Sequence, residues 1–275
     1  MKVAFLLTII CGLFFGSCSS YADKSENLSY STTSDSTKFY YRLGWQQIMD
    51  FGDYSAAEVS YRKALSFDED FLLGKSVLAR LTTSLEERLQ LFQSLERTKS
   101  SIKGDERLVL DVYIALTKYT NLRDQNSPKI KEALQSAYEL SAHNLGQVIL
   151  RYPAEVYLKS EYIEVIHALY GAEAALDSMD NLILESQTKN PFILGYKAIL
   201  TAEIENYDEA LVHAGELAEI LWDEKVARPD AILADIYFKM KDYQSAKIHA
   251  DRANMIDPKN LDASRLKAKI DKQLE

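Results

Sequence analysis

From Phe39 to the C-terminus, apolar residues recur every three or four positions, and charged or polar residues fill the faces between them. That period places the apolar positions on one face of an α-helix. Alternating apolar and polar runs of the kind that make strands are almost missing, and only 10 Gly and 5 Pro interrupt the 275 residues. The pattern predicts an all-α fold. Three segments align without gaps: YSAAEVSYRKALSF from Tyr54, YDEALVHAGELAEI from Tyr207 and YQSAKIHADRANMI from Tyr243. Each opens Tyr-x-x-Ala and continues as a stripe. The first stripe is Tyr54, Ala57, Tyr61, Ala64 and Phe67. The second is Tyr207, Ala210, Ala214, Leu217 and Ile220, and the third Tyr243, Ala246, Ala250, Ala253 and Ile256. The small residue after each Tyr lets a second helix approach closely.

A turn precedes each Tyr: Phe51-Gly52-Asp53, Glu205-Asn206 and Lys241-Asp242. Gly and Asn tolerate the left-handed conformation that ends a helix, and Asp caps the next one. A further helix precedes each turn, as in YYRLGWQQIMD and RPDAILADIYFKM, and Asp257-Pro258 stops the last repeat, since Pro cannot continue a helix. Helix, short turn, helix with Tyr-x-x-Ala and a terminal Asp-Pro resembles the tetratricopeptide repeat. Tyr41, Gly44, Trp45 and Ile48 in the first copy, and Asp230, Leu233, Ala234 and Tyr237 in the last, keep part of that family's signature.

Spacing organises the middle. Stepping back 35 residues from Tyr207 reaches Ala172-x-x-Ala175, with Met179 and Leu182 following, which gives a pair over about 155–187. Pro153 ends a long helix from Lys129, partnered by GDERLVLDVYIALTKY from Gly104. Another pair is expected between Asp70 and Lys99, its second helix opening at the capping box Ser84-x-x-Glu87. About six pairs and a closing helix after Asn260, with Leu261, Leu266 and Ile270 on one side, fill the chain. The resemblance implies a right-handed superhelical solenoid with a C-terminal capping helix over residues 39–275, and a polar-faced cap is what such an array needs.

The first residues change the picture. MKVAFLLTIICGLF has one charge, Lys2, before an apolar run, and Phe15-Gly16-Ser17 leads into Cys18. A charged start, an apolar core and a small-residue exit describe an export signal, and the run is shorter than the roughly 20 residues a membrane span needs. The small residues before Cys18 resemble the lipobox of bacterial lipoproteins, with Phe15 where that family usually has Leu. The resemblance implies a signal peptide over 1–17 and acylation of Cys18. It also implies an envelope location, the outer membrane before the inner, with the leaflet left open. Cys11 is the only other cysteine, so a chain beginning at Cys18 forms no internal disulfide. Residues 18–38 are rich in Ser, Thr, Asp and Asn, and are expected to be a disordered tether.

Net charge is −9, and −10 once Lys2 leaves with the signal. Phosphate binding needs a basic stripe, which disfavours nucleic acid. The sequence predicts no enzyme, metal or cofactor. Ser60-x-x-Lys63 and Ser264-x-x-Lys267 lack the companion Lys-Thr-Gly motif. His213 and His249 occupy equivalent repeat positions, which common descent of the repeats explains. Glu164-x-x-His167 has the spacing of di-iron bundles, but those need a second copy, and a solvated face is expected instead.

In the tetratricopeptide-repeat family the concave side, formed by the first helix of each pair, binds peptide segments. Carried over by position, the groove-facing candidates are Arg42, Gln46 and Met49, then Tyr157, Glu161 and Glu164, then Tyr196, Ile199, Glu203, Asp235 and Lys239. The implied function is a lipid-anchored adaptor for a protein partner. The alternative is capture of a glycan or other ligand beside an outer-membrane transporter.

Overall fold

The computed structural model describes residues 27–222 and 225–275. The expected signal peptide and Cys18 lie outside them. Among the described residues the chain is all-helical, thirteen α-helices in chain order, consistent with a helical solenoid. Six antiparallel pairs follow one another: α1 (Asp35–Gln46) with α2 (Tyr54–Phe67), α3 (Leu72–Leu81) with α4 (Leu85–Thr98), and α5 (Gly104–Asp124) with α6 (Ile130–Arg151). Then come α7 (Val156–Tyr170) with α8 (Ala172–Leu182), α9 (Pro191–Glu203) with α10 (Tyr207–Ile220), and α11 (Arg228–Lys239) with α12 (Tyr243–Ile256). A closing helix, α13 (Leu261–Leu274), covers the last pair with Ala263, Leu266 and Ile270 buried.

The repeat stripes behave as spaced, with one correction. Ala57, Tyr61 and Ala64, then Ala210, Ala214 and Leu217, then Ala246, Ala250 and Ala253 are buried. The fifth member of each stripe, Phe67, Ile220 and Ile256, is exposed, because it falls on the last turn of its helix. Gly44 on α1 explains why the second helix comes so near: a Cβ there would lie 2.4 Å from the Tyr61 ring. The turns also need one revision. Gly52 takes the left-handed conformation (φ 67°), but at the equivalent places Glu205 (φ 65°) and Lys241 (φ 64°) do so, one residue before Asn206 and Asp242. Asp53 and Asp242 cap as expected, accepting from the backbone N–H of Ala56 (2.8 Å) and Ser245 (3.1 Å). Ser84 accepts from the Glu87 N–H (3.3 Å), but the Glu87 carboxylate turns to Thr82 and Arg62, so only half of the box forms.

The packed structure starts earlier than Phe39. Leu28 and Thr32 are buried, and Tyr30 meets Tyr41 and Phe71 edge-on at 5.3 and 6.0 Å. Two carboxylates satisfy the polar backbone of this strap: Glu155 accepts from the Leu28 N–H (2.8 Å), and Glu106 from the Ser31 N–H (2.8 Å) and hydroxyl (3.0 Å). Burial raises the pKa of both, and the Ser31 and Leu28 donors pull it back. Residues 28–34 look like tether in composition, yet one Leu, one Tyr and two partner carboxylates are enough to order them.

The two ends of the solenoid touch. The last turn before α2 is a π turn, Gln47–Phe51, in which the Gln47 carbonyl receives the Asp53 N–H (2.8 Å). The carbonyls of Ile48 and Met49 are thereby left without helical donors, as at any helix end. Arg228, first residue of α11, supplies Nη2 to both, 2.9 Å from Ile48 O. From the other side Asp257, 2% exposed, accepts from the Tyr54 N–H (2.7 Å) and the Ser55 hydroxyl (2.6 Å) at the start of α2. A carboxylate is favoured there by the helix dipole. Asn260 Nδ2 donates to Gly52 O (2.8 Å) while its Oδ1 caps α13. The repeat-ending Asp that the sequence reads as a helix stop thus caps a helix 203 residues away.

Candidate functional site, a central chamber

Because the ends meet, the inner side of the solenoid is a chamber of about 460 Å³. Its wall comes from the first helices of five pairs, α1, α3, α7, α9 and α11, together with α2 and α13. The aromatic part is Trp45, Tyr54, Tyr61, Phe192 and Tyr196. Trp45 stacks on Tyr157 (6.3 Å between centroids), and Phe192 on Tyr196 (5.4 Å). The Arg228 guanidinium lies 5.1 Å above the Phe192 ring. Such stacking fixes the rings as a rigid surface.

Polar groups of the wall are held by specific partners. Glu161, 6% exposed, accepts from Arg80 Nη1 and from the Tyr113 hydroxyl, both at 2.6 Å, and Arg80 in turn covers the Tyr113 ring. The charge of Glu161 is therefore compensated from two directions. One turn on, Glu164 faces the chamber unpaired. Surrounding protein, with Glu161 and Asp262 adding repulsion, pushes its pKa up to about 8, against the pull of Arg228 and Arg80. Glu164 therefore carries its proton at neutral pH. Tyr54 donates its hydroxyl to Asp262 (3.0 Å). Asp50 sits just behind the wall, buried between the Tyr157 hydroxyl (2.6 Å) and Asn190 Nδ2 (2.9 Å). Burial raises its pKa and these two donors oppose the shift.

Six of the eleven groove candidates line the chamber: Met49, Glu161, Glu164, Tyr196, Ile199 and Asp235. The other five do not. Arg42 is exposed beside the strap, 5.8 Å above the Tyr30 ring, and Gln46 is exposed. Tyr157 lies behind Trp45 on Asp50, Glu203 pairs with His167 (3.0 Å), and Lys239 pairs with Asp235. Of the two residues expected on a solvated face, Glu164 is exposed at the chamber wall, whereas His167 is half-buried and contacts the Tyr196 hydroxyl (2.7 Å). His249 meets Asp230 (2.6 Å) and stacks on Tyr237, while His213 lies on α10 near Glu209 and Glu216. Ser60 and Ser264 donate to Gln47 and Asn254 side chains, ordinary packing of polar groups.

Sequence reasoning missed Arg80, Arg228 and the whole α13 contribution, Leu261, Asp262, Arg265, Leu266 and Lys269. Arg80 had a legible signal, being a cation inside the apolar run LLGKSVLARL. The face of α13 had none, since Asp262, Arg265 and Lys269 are exposed as the polar side of a closing helix is expected to be, and only the tertiary fold brings them to the chamber wall.

The sequence profile of the tetratricopeptide repeat matches residues 37–71 and 231–260. These are the first and last repeats, the two that meet at Asp257 and Asn260. A search of curated proteins finds no match to the chain.

Proposed function

We propose that the chain is a lipid-anchored adaptor of the bacterial cell envelope, which holds a protein partner through the inner face of its repeats. Tetratricopeptide repeats suggest a protein-interaction scaffold rather than an enzyme. The observation that carries the reading is the chamber itself, where rigid aromatics and fixed charges converge from five repeat units. Its volume also limits the mode. One turn of helix, roughly 10 Å across and 5.4 Å tall, fills on the order of 400 Å³, so the partner inserts about one turn or a few extended residues.

Acylation at Cys18 supplies the anchor in this reading. From Cys18 to the first packed residue, Leu28, the chain can stretch no more than about 35 Å, so the domain stays near the membrane surface and the local concentration of an envelope partner rises. The alternative, ligand capture, is favoured by the same enclosure, which suits a small molecule better than a glycan chain.

A photoreactive residue at Tyr196, with Val212 on exposed α10 as control, tests the adaptor reading in the native host. Capture of a discrete protein from Tyr196 alone supports it; equal or empty yields from both positions sink it. Radioactive palmitate incorporated by the native chain and lost in Cys18→Ser tests the anchor separately.

A further inference from the structure

The chamber wall carries four cations, Arg80, Arg228, Arg265 and Lys269, and four carboxylates, Glu161, Glu164, Asp235 and Asp262, but they are not all paired with one another. Arg80 is taken by Glu161, and Asp235 by Lys239, which stands outside the wall. Arg228 spends its Nη2 on two backbone carbonyls and pairs with no carboxylate among the described residues. Arg265 and Lys269, four residues apart on one face of α13, also line the chamber and make no ion pair among the described residues. Against these three cations stands Asp262, held by the Tyr54 hydroxyl, and Glu164, which faces them from α7. In a chain of net charge −9 the wall thus sets three cations that make no ion pair beside two carboxylates, and the rest of it is aromatic and aliphatic. The volume of about 460 Å³ lies in the range of roughly 300–1,000 Å³ usual for small-molecule sites.

We propose that the chamber binds a small organic anion with an apolar body, of the class of medium-chain carboxylates. Its head is received by Arg265 and Lys269 on α13, and its body lies against Trp45, Phe192 and Tyr196. An apolar cation is disfavoured by the same three positive groups, and an uncharged alcohol gains the aromatic contacts but not the ionic ones. This site shares the chamber with the adaptor reading but does not depend on it.

The test uses the full chain carrying Cys18→Ser, so that no acyl group of its own competes, and Trp222→Phe, which leaves Trp45 as the single indole. Decanoate, decanol and decyltrimethylammonium are titrated at neutral pH and followed by indole fluorescence and calorimetry. Saturable binding of decanoate is expected, with decanol about tenfold weaker and the cation inert. Arg265→Gln with Lys269→Gln, both exposed positions, should weaken decanoate about tenfold and leave decanol unchanged. Equal binding of decanol and decanoate, tighter binding of the cation, or a flat titration overturns the proposal. So does an apolar peptide with a free C-terminal carboxylate that displaces decanoate at lower concentration, which would assign the site to a polypeptide end. Crosslinking from Tyr196 in the same double variant separates the two readings: capture retained while decanoate binding is lost leaves the adaptor standing on its own.

Discussion

In the first and last repeats the helix pairs meet through alanine. Ala57 and Ala64 on α2, and Ala246, Ala250 and Ala253 on α12, are fully buried, and Gly44 admits the Tyr61 ring where a Cβ would collide. The central pairs are built otherwise. Helices α5, α6 and α7 bury larger aliphatics, Val109, Leu110, Leu145, Val148 and Ile163, interleaved with polar groups that find fixed partners. Asn144 Nδ2 reaches Leu108 O (3.0 Å), Arg88 reaches Asn121 and Asp124, and Lys159 reaches Gln187 (2.8 Å). Close backbone approach demands small residues at set positions and so leaves a repeat signature. Wide packing accepts many side-chain combinations and leaves none. The signature thus marks the pairs whose geometry must match: the first and last, which close the chamber, and the fifth, where Ala210 and Ala214 are buried in the same way.

The largest effect should come from the closing contact. In Asp257→Ala the first N–H of α2 and the Ser55 hydroxyl lose their acceptor in a site nearly closed to water. Leaving such donors unpaired costs about 1–3 kcal/mol each, partly relieved if the ends separate and water enters. A loss of about 3 kcal/mol in urea unfolding is expected. Lys259→Ala, which removes only the half-exposed bridge from Lys259 Nζ to Glu58 (2.7 Å), should cost well under 1 kcal/mol. Equal effects of the two would mean that the ends are not held by Asp257.

Next in size is a pair of glycine substitutions that sets the two kinds of packing against each other. Gly44→Ala in α1 places its methyl 2.4 Å from Tyr61, a fully buried ring with no room to retreat, and overpacking of this kind costs about 1–3 kcal/mol. Gly146→Ala in α6 places its methyl 3.3 Å from the edge of Tyr162, which is only half-buried and can shift. There the gain in helix propensity, about 0.5–1 kcal/mol, should prevail or cancel the contact. Thermal unfolding of both variants measures the difference directly. If Gly146→Ala destabilises as much as Gly44→Ala, the central pairs are packed as tightly as the outer ones.

The same contrast explains what the sequence made legible. The repeat stripes, the Pro153 and Pro258 stops and the number of helix pairs follow from local rules, period and cap chemistry, that act within about ten residues. Six of the groove candidates line the chamber because the inward face of a repeat is set by its stripe. Arg228 and Asp257 lay beyond that reach, since their partners are backbone atoms of Ile48, Met49 and Tyr54, about two hundred residues away. No spacing rule connects such positions. The strap was misread for a related reason: composition counts aliphatics over a window, whereas order at Leu28 and Ser31 depends on the single carboxylates Glu155 and Glu106 brought from elsewhere.

A smaller effect belongs to Glu164. Its pKa, pushed up to about 8 in the folded chain, exceeds the ordinary carboxylate value of about 4.3 in the unfolded chain. Between those values the folded state holds a proton the unfolded state has released, so stability falls as pH rises and levels off above about 8. Glu164→Gln removes that slope. The side chain is wet within the chamber, so the difference should stay near 1 kcal/mol. Unfolding midpoints of the two proteins should coincide near pH 4 and separate, in favour of Gln, up to pH 8. Parallel curves would place Glu164 in ordinary solvent.

The smallest test concerns the turns. Gly52 adopts φ 67° at the end of the first repeat's opening helix, and Lys241 adopts φ 64° at the same place in the last. The turn geometry is alike in both, but only one residue adopts it without crowding its own Cβ, a crowding that costs roughly 1 kcal/mol in the left-handed region. Lys241 is exposed and makes no side-chain ion pair among the described residues, so Lys241→Gly forfeits little beyond backbone entropy in the unfolded chain. A net stabilisation of about 0.5 kcal/mol is expected. Gly52→Ala should move the other way by a larger amount, because its Cβ would also stand 3.0 Å from Asn260 Nδ2 and 3.3 Å from the Arg228 backbone. The two shifts together separate the cost of the turn, which the outer repeats share, from the cost of closing the chamber, which falls on Gly52.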